Sequence, residues 1–111
     1  MNILYKDVYS LNEFKYNKSY YIDEFGKEIT HSINDEPALV HYNGSLTWYN
    51  HGLEHRAAGP SYIEYNSDGL HYHFYYEWAL NGKSIGIFSE LNNKNYSNEK
   101  FLKYIKYLPF Q

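Results

Sequence analysis

One stretch decides the fold: residues 48–61, WYNHGLEHRAAGPS. Gly52 and Gly59-Pro60 each favour a chain reversal, and the two reversals lie only seven residues apart. This spacing leaves room for one short strand and excludes a helix of ordinary length. The stretch therefore predicts an aromatic pair, Trp48-Tyr49, followed by a turn, a short strand and a second turn.

Composition favours a single β-rich domain over residues 1–111. With 111 residues and a 43% hydrophobic fraction, the chain suits one modest core. Fifteen Tyr, six Phe and two Trp fit half-buried strand faces, where one end of each ring stays in water. The chain has no Cys, which excludes disulfides and cysteine-ligated zinc or iron–sulfur centres.

Charge and hydropathy disfavour nucleic acid and membranes as partners. The net charge is −3, and Arg56 is the single Arg among ten basic residues, so broad capture of a phosphate backbone is not expected. No apolar run approaches the roughly 20 residues that span a bilayer, and the N-terminus lacks a basic segment followed by an apolar one. We therefore expect a cytoplasmic protein. Abundant Asn, Lys, Tyr and Ile, whose codons are A/T-rich, favour a bacteriophage or a low-GC bacterium as its source, with the host cytoplasm as the location if it is phage-encoded.

The first 25 residues are predicted to contain a helix and a strand. Ser10-Leu11-Asn12-Glu13 matches a capping box and predicts a short helix near residues 11–17. Residues 15–19 break the apolar periodicity and predict a loop. Residues 20–25 then predict an aromatic strand.

Residues 26–88 are predicted to form serial β-hairpins. The predicted strands are residues 37–42, 45–49, 53–56, 61–65, 70–80 and 83–88. The predicted turns are Asn43-Gly44, Asn50-His51-Gly52, residues 57–60, residues 66–69 and Asn81-Gly82. Residues 70–80 give the clearest signal, because Tyr72, Phe74, Tyr76 and Trp78 share one strand face. A β-meander follows from this order.

A C-terminal helix is predicted over residues 97–108. Ser97 can cap it, Glu99 lies in its first turn, and Lys103 and Lys106 lie later, as the helix dipole favours. Its predicted apolar stripe consists of Phe101, Tyr104, Ile105 and Leu108, and Pro109 ends it. A helix of about twelve residues is barely stable alone, so we expect the stripe to dock on an end or open face of the sheet.

The spacing of turns and aromatic residues indicates three imperfect units. Gly26-Lys27 aligns with Gly52-Leu53 and Gly82-Lys83, and Glu36-Pro37-Ala38 aligns with Gly59-Pro60-Ser61. The middle unit, Trp48-Tyr49 to Ser61, resembles the variant MORN-like repeat, whose pattern is W-Y-x-x-G-x-x-H-R-x-x-G-P-A. The other two units are degenerate versions. Ser97-Asn98-Glu99-Lys100-Phe101 is also similar to the S-x-E-x-F start of the C-terminal helix in small phage and bacterial members.

The resemblance implies a fold and a class of function. In that family each unit is a β-hairpin, the units stack into an elongated antiparallel sheet, and related repeats act as interaction scaffolds or antitoxin-like partners. It covers roughly residues 20–108 and implies a non-enzymatic protein-binding module that captures or inhibits a host protein. No cofactor is implied.

A metal site is one interpretation of the histidines in residues 71–77. His71 and His73 share a strand face with Glu77, a spacing compatible with two imidazole ligands and a carboxylate. His51 and His55 could complete such a site if the hairpins align. The simpler interpretation is a polar, solvent-exposed strand face, since alternation alone requires one opposite the aromatic residues.

His55-Arg56 has two interpretations. The guanidinium could grip a carboxylate or phosphate through its planar fork of donors. Alternatively, the pair bonds neighbouring loop carbonyls and stacks on an aromatic ring. A small-molecule or nucleotide pocket lined by His55, Arg56, His71 and His73 is the corresponding alternative function.

Tyrosine points most directly to function. A sheet with more rings than one core can bury must expose some, and exposed aromatic residues favour partner surfaces. We predict the partner-binding residues Trp48, Tyr49, His55, Arg56 and Tyr75. The alternative is that Tyr hydroxyls at the rim of a thin sheet serve solubility alone. No nucleophile with a base, close carboxylate pair or phosphate-binding glycine loop is recognisable, so no catalytic residue is predicted.

Overall fold

The chain folds into an antiparallel sheet with one C-terminal helix, as given by a computed structural model. The structure describes residues 3–11, 14–41, 44–67, 72–89 and 96–106. Its elements are β1 (Leu4–Leu11), β2 (Phe14–Ile22), β3 (Glu28–Thr30), β4 (Leu39–Val40), β5 (Leu46–Thr47), β6 (Tyr49–Asn50), β7 (Leu53–Glu54), β8 (Tyr62–Ser67), β9 (Tyr72–Leu80), β10 (Lys83–Ser89) and α1 (Asn98–Lys106). The predicted mainly β fold, with serial hairpins and a C-terminal helix, is confirmed.

The strands follow the chain across the sheet. The main sheet has the order β1-β2-β4-β5-β8-β9-β10, and β3 pairs with β2 beside this path. β6 and β7 form a separate two-stranded hairpin. All these pairings are antiparallel. Among the described residues, no helix is long and apolar enough to cross a membrane.

The predicted helix near residues 11–17 and the loop over residues 15–19 are both wrong. β1 and β2 form a long hairpin, in which Tyr5 pairs with Tyr20 and Val8 with Asn17. The polar residues of β2 lack the apolar period of a strand, but pairing with β1 and then with β3 and β4 supplies partners for its backbone. The predicted strand over residues 20–25 ends at Ile22, because Asp23 starts a turn in which its Oδ1 accepts the amide hydrogens of Phe25 and Lys27. Asn12 and Glu13 lie outside the described residues.

The predicted glycine turns are where the chain reverses. His51-Gly52 has φ angles of 49° and 84°, and Asn81-Gly82 has 47° and 82°. Two successive positive φ angles define a type I′ turn, whose twist matches the strands that it joins. The strand that follows the His51-Gly52 turn is shorter than predicted, since β7 ends at Glu54 rather than at Arg56.

Successive hairpins are also joined to each other at their turns. The Gly52 amide donates to the Thr30 carbonyl at 2.8 Å, and the Gly82 amide donates to the Glu54 carbonyl at the same distance. Each turn glycine therefore bonds the strand that ends the preceding hairpin. This arrangement places the β2–β3, β6–β7 and β9–β10 hairpins side by side.

The aromatic core lies where α1 packs on the sheet. Trp78, Phe101 and Ile105 are buried at its centre, with Tyr76, Phe88 and Tyr96 around them. Ser97 caps the helix as predicted, since its Oγ accepts the Lys100 amide hydrogen at 3.2 Å. Tyr104 is 42% exposed and does not belong to the docked stripe, which is a correction to the sequence prediction. Leu108 and Pro109 lie outside the described residues.

Gly86 leaves room on the sheet for the ring of Tyr96, which precedes the helix. A Cβ atom at this position would overlap the ring of Tyr96. The ring stands at 63° to Trp78, with 5.1 Å between the ring centroids. Because glycine has no side chain, the Tyr96 ring can pack into the core above residue 86.

Candidate functional site

Two neighbouring hairpins line an open pocket of about 230 Å³. Four of the five predicted partner-binding residues line it: Trp48, Tyr49, His55 and Arg56. His31 and Asp35, which the sequence analysis did not single out, complete the polar part of its wall. Whether Arg56 could bind a ligand in this pocket depends on which of its N–H donors are already used within the protein.

Arg56 is held by groups of the protein itself. Its Nε and Nη2 donate to the two carboxylate oxygens of Asp35 at 3.0 and 3.1 Å, and its Nη1 donates to the Pro60 carbonyl at 3.1 Å. Its guanidinium carbon lies 3.9 Å from the ring centroid of Trp48. The prediction that Arg56 bonds a loop carbonyl and stacks on an aromatic ring is confirmed. A forked, stacked guanidinium is a strong structural clamp and has few donors left for an anion.

Trp48 is a core residue. Its side chain is 4% exposed, and its Nε1 donates to the Asp35 carbonyl at 2.9 Å. The expectation that Trp48 is exposed to a partner is therefore wrong. It alternates with Tyr49 along the chain and points to the opposite side, where Arg56 covers its ring.

His55 and His31 hold the turns of the hairpins that follow them. His55 Nδ1 accepts the amide hydrogen of Asn81, and His31 Nδ1 accepts that of His51, both at 3.0 Å. Burial lowers the pKa of each imidazole, and the charge of His51 lowers that of His31 further. His55 thus bonds a loop amide and not the carbonyl that we had predicted.

These contacts set the tautomer of both imidazoles. A ring nitrogen that accepts an amide hydrogen carries none itself, so the neutral ring has its hydrogen on Nε2. A protonated Nε2 has no lone pair for a metal ion. His55 is therefore unsuited to complete a metal site in this structure.

His51 belongs to a compact aromatic group at the tip of its hairpin. Its Nδ1 lies 2.9 Å from the Tyr21 hydroxyl, and its ring centroid lies 4.6 Å from that of His31. Tyr21 is buried and meets both imidazoles edge-on. The group packs two hairpins together.

The structure does not show a metal site formed by the proposed ligands His71, His73 and Glu77. His71 and the side chain of His73 lie outside the part of the chain that the structure describes. Glu77 accepts a hydrogen bond from the Ser84 hydroxyl at 3.0 Å. Over the described ranges, no group of three or more His, Asp or Glu side chains is placed to hold a metal ion.

Among the side chains that the structure describes, six tyrosine rings lie on the side of the sheet opposite α1, and we call this surface the tyrosine face. Its members are Tyr5, Tyr16, Tyr20, Tyr49, Tyr62 and Tyr75. Tyr5 and Tyr20 stack with 5.5 Å between centroids, and Tyr62 meets Tyr75 edge-on at 5.9 Å. Alternation along β9 places Tyr75 and Glu77 on this side, whereas Tyr76 and Trp78 face the helix. The rings are half-buried except for Tyr5, which is 43% exposed.

Two of the predicted partner-binding residues, Tyr49 and Tyr75, belong to the tyrosine face. The other three, Trp48, His55 and Arg56, lie only in the pocket described above, whereas Tyr49 lines both the pocket and the tyrosine face. The sequence analysis missed Tyr62 and Glu64, although a signal existed. Tyr62-Ile63-Glu64 and Tyr75-Tyr76-Glu77 both have the form Y-x-E, which puts a ring and a carboxylate side by side on one strand face.

Carboxyl groups lie among these rings. The Tyr62 hydroxyl donates to Glu64 Oε2 at 2.7 Å, and burial together with this contact raises the pKa of Tyr62 to about 12. Burial and the nearby carboxylates, first that of Glu77, raise the pKa of Tyr75. The phenols of Tyr62 and Tyr75 therefore stay neutral in ordinary buffers.

Glu54 and Glu77 form a close carboxyl pair on the same face. Burial, and then hydrogen bonding to Glu77, raise the pKa of Glu54 to about 7. Its Oε2 accepts a hydrogen bond from Ser61, whose side chain is fully buried. Two carboxyl groups that share a hydrogen bond cannot both ionise without a cost, so the pair retains a proton near neutral pH.

A second cavity of about 390 Å³ lies beside the start of α1. Tyr76, Trp78 and Phe88 form its apolar floor, and Tyr96 and Asn98 form part of its wall. Asn98 Oδ1 accepts the indole hydrogen of Trp78 at 3.1 Å. The cavity is a groove between the helix start and the sheet.

Comparison of the chain with protein-family models, curated proteins and solved structures finds no match. The resemblance to MORN-like repeats stays a prediction.

Proposed function

We propose that this chain is a non-enzymatic protein-binding module and that the tyrosine face is its binding surface. One observation carries the proposal: over the described residues, six tyrosine rings lie on the side of the sheet opposite the helix. Half-buried tyrosines offer a large, rigid contact area at a small entropic cost, and they are enriched at protein interfaces. Tyr49 and Tyr75 are the proposed anchors.

The clamp around Arg56 has a supporting role in this proposal. Asp35, Trp48 and Arg56 join two hairpins on the opposite side of the sheet. Such a clamp keeps the hairpins in register, so that the rings on the tyrosine face keep their spacing. The alternative of a nucleotide pocket gains no support, because the Arg56 fork is occupied by Asp35 and Pro60.

The proposed setting is a bacteriophage or mobile element whose product acts in the host cytoplasm by capturing or inhibiting a host protein. The A/T-rich residue usage and the resemblance to MORN-like repeats motivate this setting. No cofactor and no catalytic residue belong to the proposal.

Affinity purification from a plausible host lysate tests the proposed function. The wild type is compared with Tyr75→Ala and Tyr49→Ala, and with Tyr104→Ala as a matched control, because Tyr104 is exposed on the helix. We expect one host protein to be enriched by the wild type and the control and to be lost with the two face variants. Circular dichroism verifies that each variant is folded, and Glu64→Lys replaces any face variant that is not.

Two outcomes contradict the proposal. Recovery of no host protein above a bead control removes the evidence for capture. Equal recovery with all variants places the binding surface elsewhere.

A further inference from the structure

Negative charge is concentrated on the tyrosine face. Its charged side chains among the described residues are Asp7, Glu28, Glu54, Glu64 and Glu77, with Lys18. Five negative charges and one positive charge give −4 when every group is ionised, whereas the whole chain carries −3. The described part of the tyrosine face is thus strongly negative, which favours a partner that carries positive charge.

The protein binds its own cations with rings and carboxylates. Lys18 Nζ lies 2.6 Å from Glu28 Oε1 and 5.6 Å from the ring centroid of Tyr20, at one end of the tyrosine face. On the other side of the sheet, Arg56 is held in the same way by Trp48 and Asp35. In both places the aromatic ring and the carboxylate act on one cation together.

A third arrangement of this kind lies at the other end of the face. Tyr62 and Tyr75 stand at 71° to each other, which leaves a corner between the rings. Glu64 bonds Tyr62, and the charges of Glu64 and Glu77 act on Tyr75. Within the described ranges, the ion pairs formed by Lys and Arg side chains involve other carboxylates. The corner therefore combines aromatic rings with carboxylates, as the other two sites do.

We infer that the tyrosine face docks a basic, lysine- and arginine-containing segment of the partner protein, with one cationic side chain in the corner between Tyr62 and Tyr75. This inference rests on the proposed protein-binding function. A phosphate backbone would be repelled by the five carboxylates. A metal ion is disfavoured over the described residues, where no group of three ligands converges.

The raised pKa of Glu54 predicts that the affinity for the basic segment depends on pH. A cation beside Glu77 and Glu54 compensates the repulsion between the two carboxylates, so the bound state releases the proton that the free protein retains near neutral pH. Affinity should then rise as the pH increases from 5.5 to 8. A binding surface that used the rings alone would show no such rise.

Isothermal titration with synthetic peptides tests the inference. The probe is a twelve-residue peptide of alternating Lys and Ser, and the matched peptides carry Gln or Glu in place of Lys. We expect the Lys peptide to bind at 20 mM salt, to weaken by about tenfold or more at 300 mM, and to bind more tightly at pH 8 than at pH 5.5. The Gln and Glu peptides should not bind.

Variants locate the contact. Glu64→Gln and Glu77→Gln preserve shape and should each weaken the Lys peptide by about threefold or more, while Glu99→Gln on α1 should leave it unchanged. Equal binding of the Gln peptide, equal weakening by Glu99→Gln, or no binding of the Lys peptide at low salt overturns the inference. If the lysate capture depends on Tyr75 and the Lys peptide does not bind, the proposed function stands and only the basic partner is refuted.

Discussion

Replacing Glu54 by Gln is expected to stabilise the protein at pH 8 and to leave its stability at pH 4 almost unchanged. In the folded state the Glu54 carboxyl keeps its proton up to a pKa of about 7, whereas the ordinary value is 4.5. Between these values the folded state binds more protons than the unfolded state, so the free energy of unfolding falls as the pH rises. Above pH 7 this loss is complete.

The magnitude follows from the two pKa values. Each tenfold change in proton affinity is worth about 1.4 kcal/mol, so a rise from 4.5 to about 7 corresponds to about 3 kcal/mol. Solvent screening around the half-buried side chain reduces this to about 1–2 kcal/mol. The Gln side chain keeps an acceptor for Ser61 and offers Glu77 an N–H donor in place of the carboxyl proton. At this chain length the gain corresponds to a rise in Tm of about 5–10 °C.

Urea denaturation followed by Trp fluorescence measures the effect at pH 4, 6 and 8. Glu24→Gln is the matched control, since Glu24 is an exposed carboxyl in another turn. We expect the Glu54→Gln gain to appear at pH 8, to shrink at pH 6 and to vanish at pH 4, with no such trend in the control. A gain of equal size at pH 4 and pH 8, or a loss at pH 8, would refute the assignment of a carboxyl pair.

Three further substitutions follow from the contacts described above. Arg56→Lys should lower the free energy of unfolding by about 1–2 kcal/mol, because Lys keeps the charge but cannot form the fork with Asp35, and an unchanged urea midpoint would contradict this. The contribution of His55 to stability should be lost as the pH drops below about 6.5, opposite in sign to that of Glu54, since folded His55 resists protonation while the unfolded imidazole accepts it; the destabilisation caused by His55→Ala should therefore be smaller at pH 5 than at pH 7 in the same assay. Gly86→Ala should cost about 1–3 kcal/mol by displacing the Tyr96 ring, and a thermal melt that matches the wild type would argue against that contact.

Local signals were sufficient for the turns. His51-Gly52 and Asn81-Gly82 adopt positive φ angles that a glycine-containing dipeptide tolerates, and each pair reverses the chain where the sequence predicts it. The helix start at Ser97 is equally local, because one hydroxyl and one amide three residues later define it. These features depend on a few neighbouring residues.

The β1–β2 hairpin shows where local signals fail. The serine and glutamate of residues 10–13 match a capping box, yet both strands gain more from pairing with each other along eight residue pairs. β2 also pairs with β3 and β4 on its other side, so its conformation is decided by three partners. Pairing over such separations is invisible in a short window of sequence.

The candidate site was only partly predictable for a related reason. The stacked role of Arg56 could be predicted, since the single Arg of the chain follows an aromatic pair by a few residues. The carboxylate that pairs with Arg56 could not be predicted, because Asp35 lies 21 residues away in the sequence and reaches Arg56 from a loop with positive φ angles. The burial of Trp48 depends on that same loop.

The imidazole contacts at the turns constrain how the chain could change in length. Each of two turns is anchored by a histidine of the preceding hairpin, His31 for His51 and His55 for Asn81. An extra residue in either turn would carry its first amide away from the imidazole and break a contact between hairpins, even if the hairpin itself could absorb the insertion. The tip at Gly26 is closed by a bond to Asp23 of its own turn. Insertions, tags or fused peptides should therefore be tolerated at the tip of the β2–β3 hairpin before they are tolerated at the tips of the β6–β7 and β9–β10 hairpins.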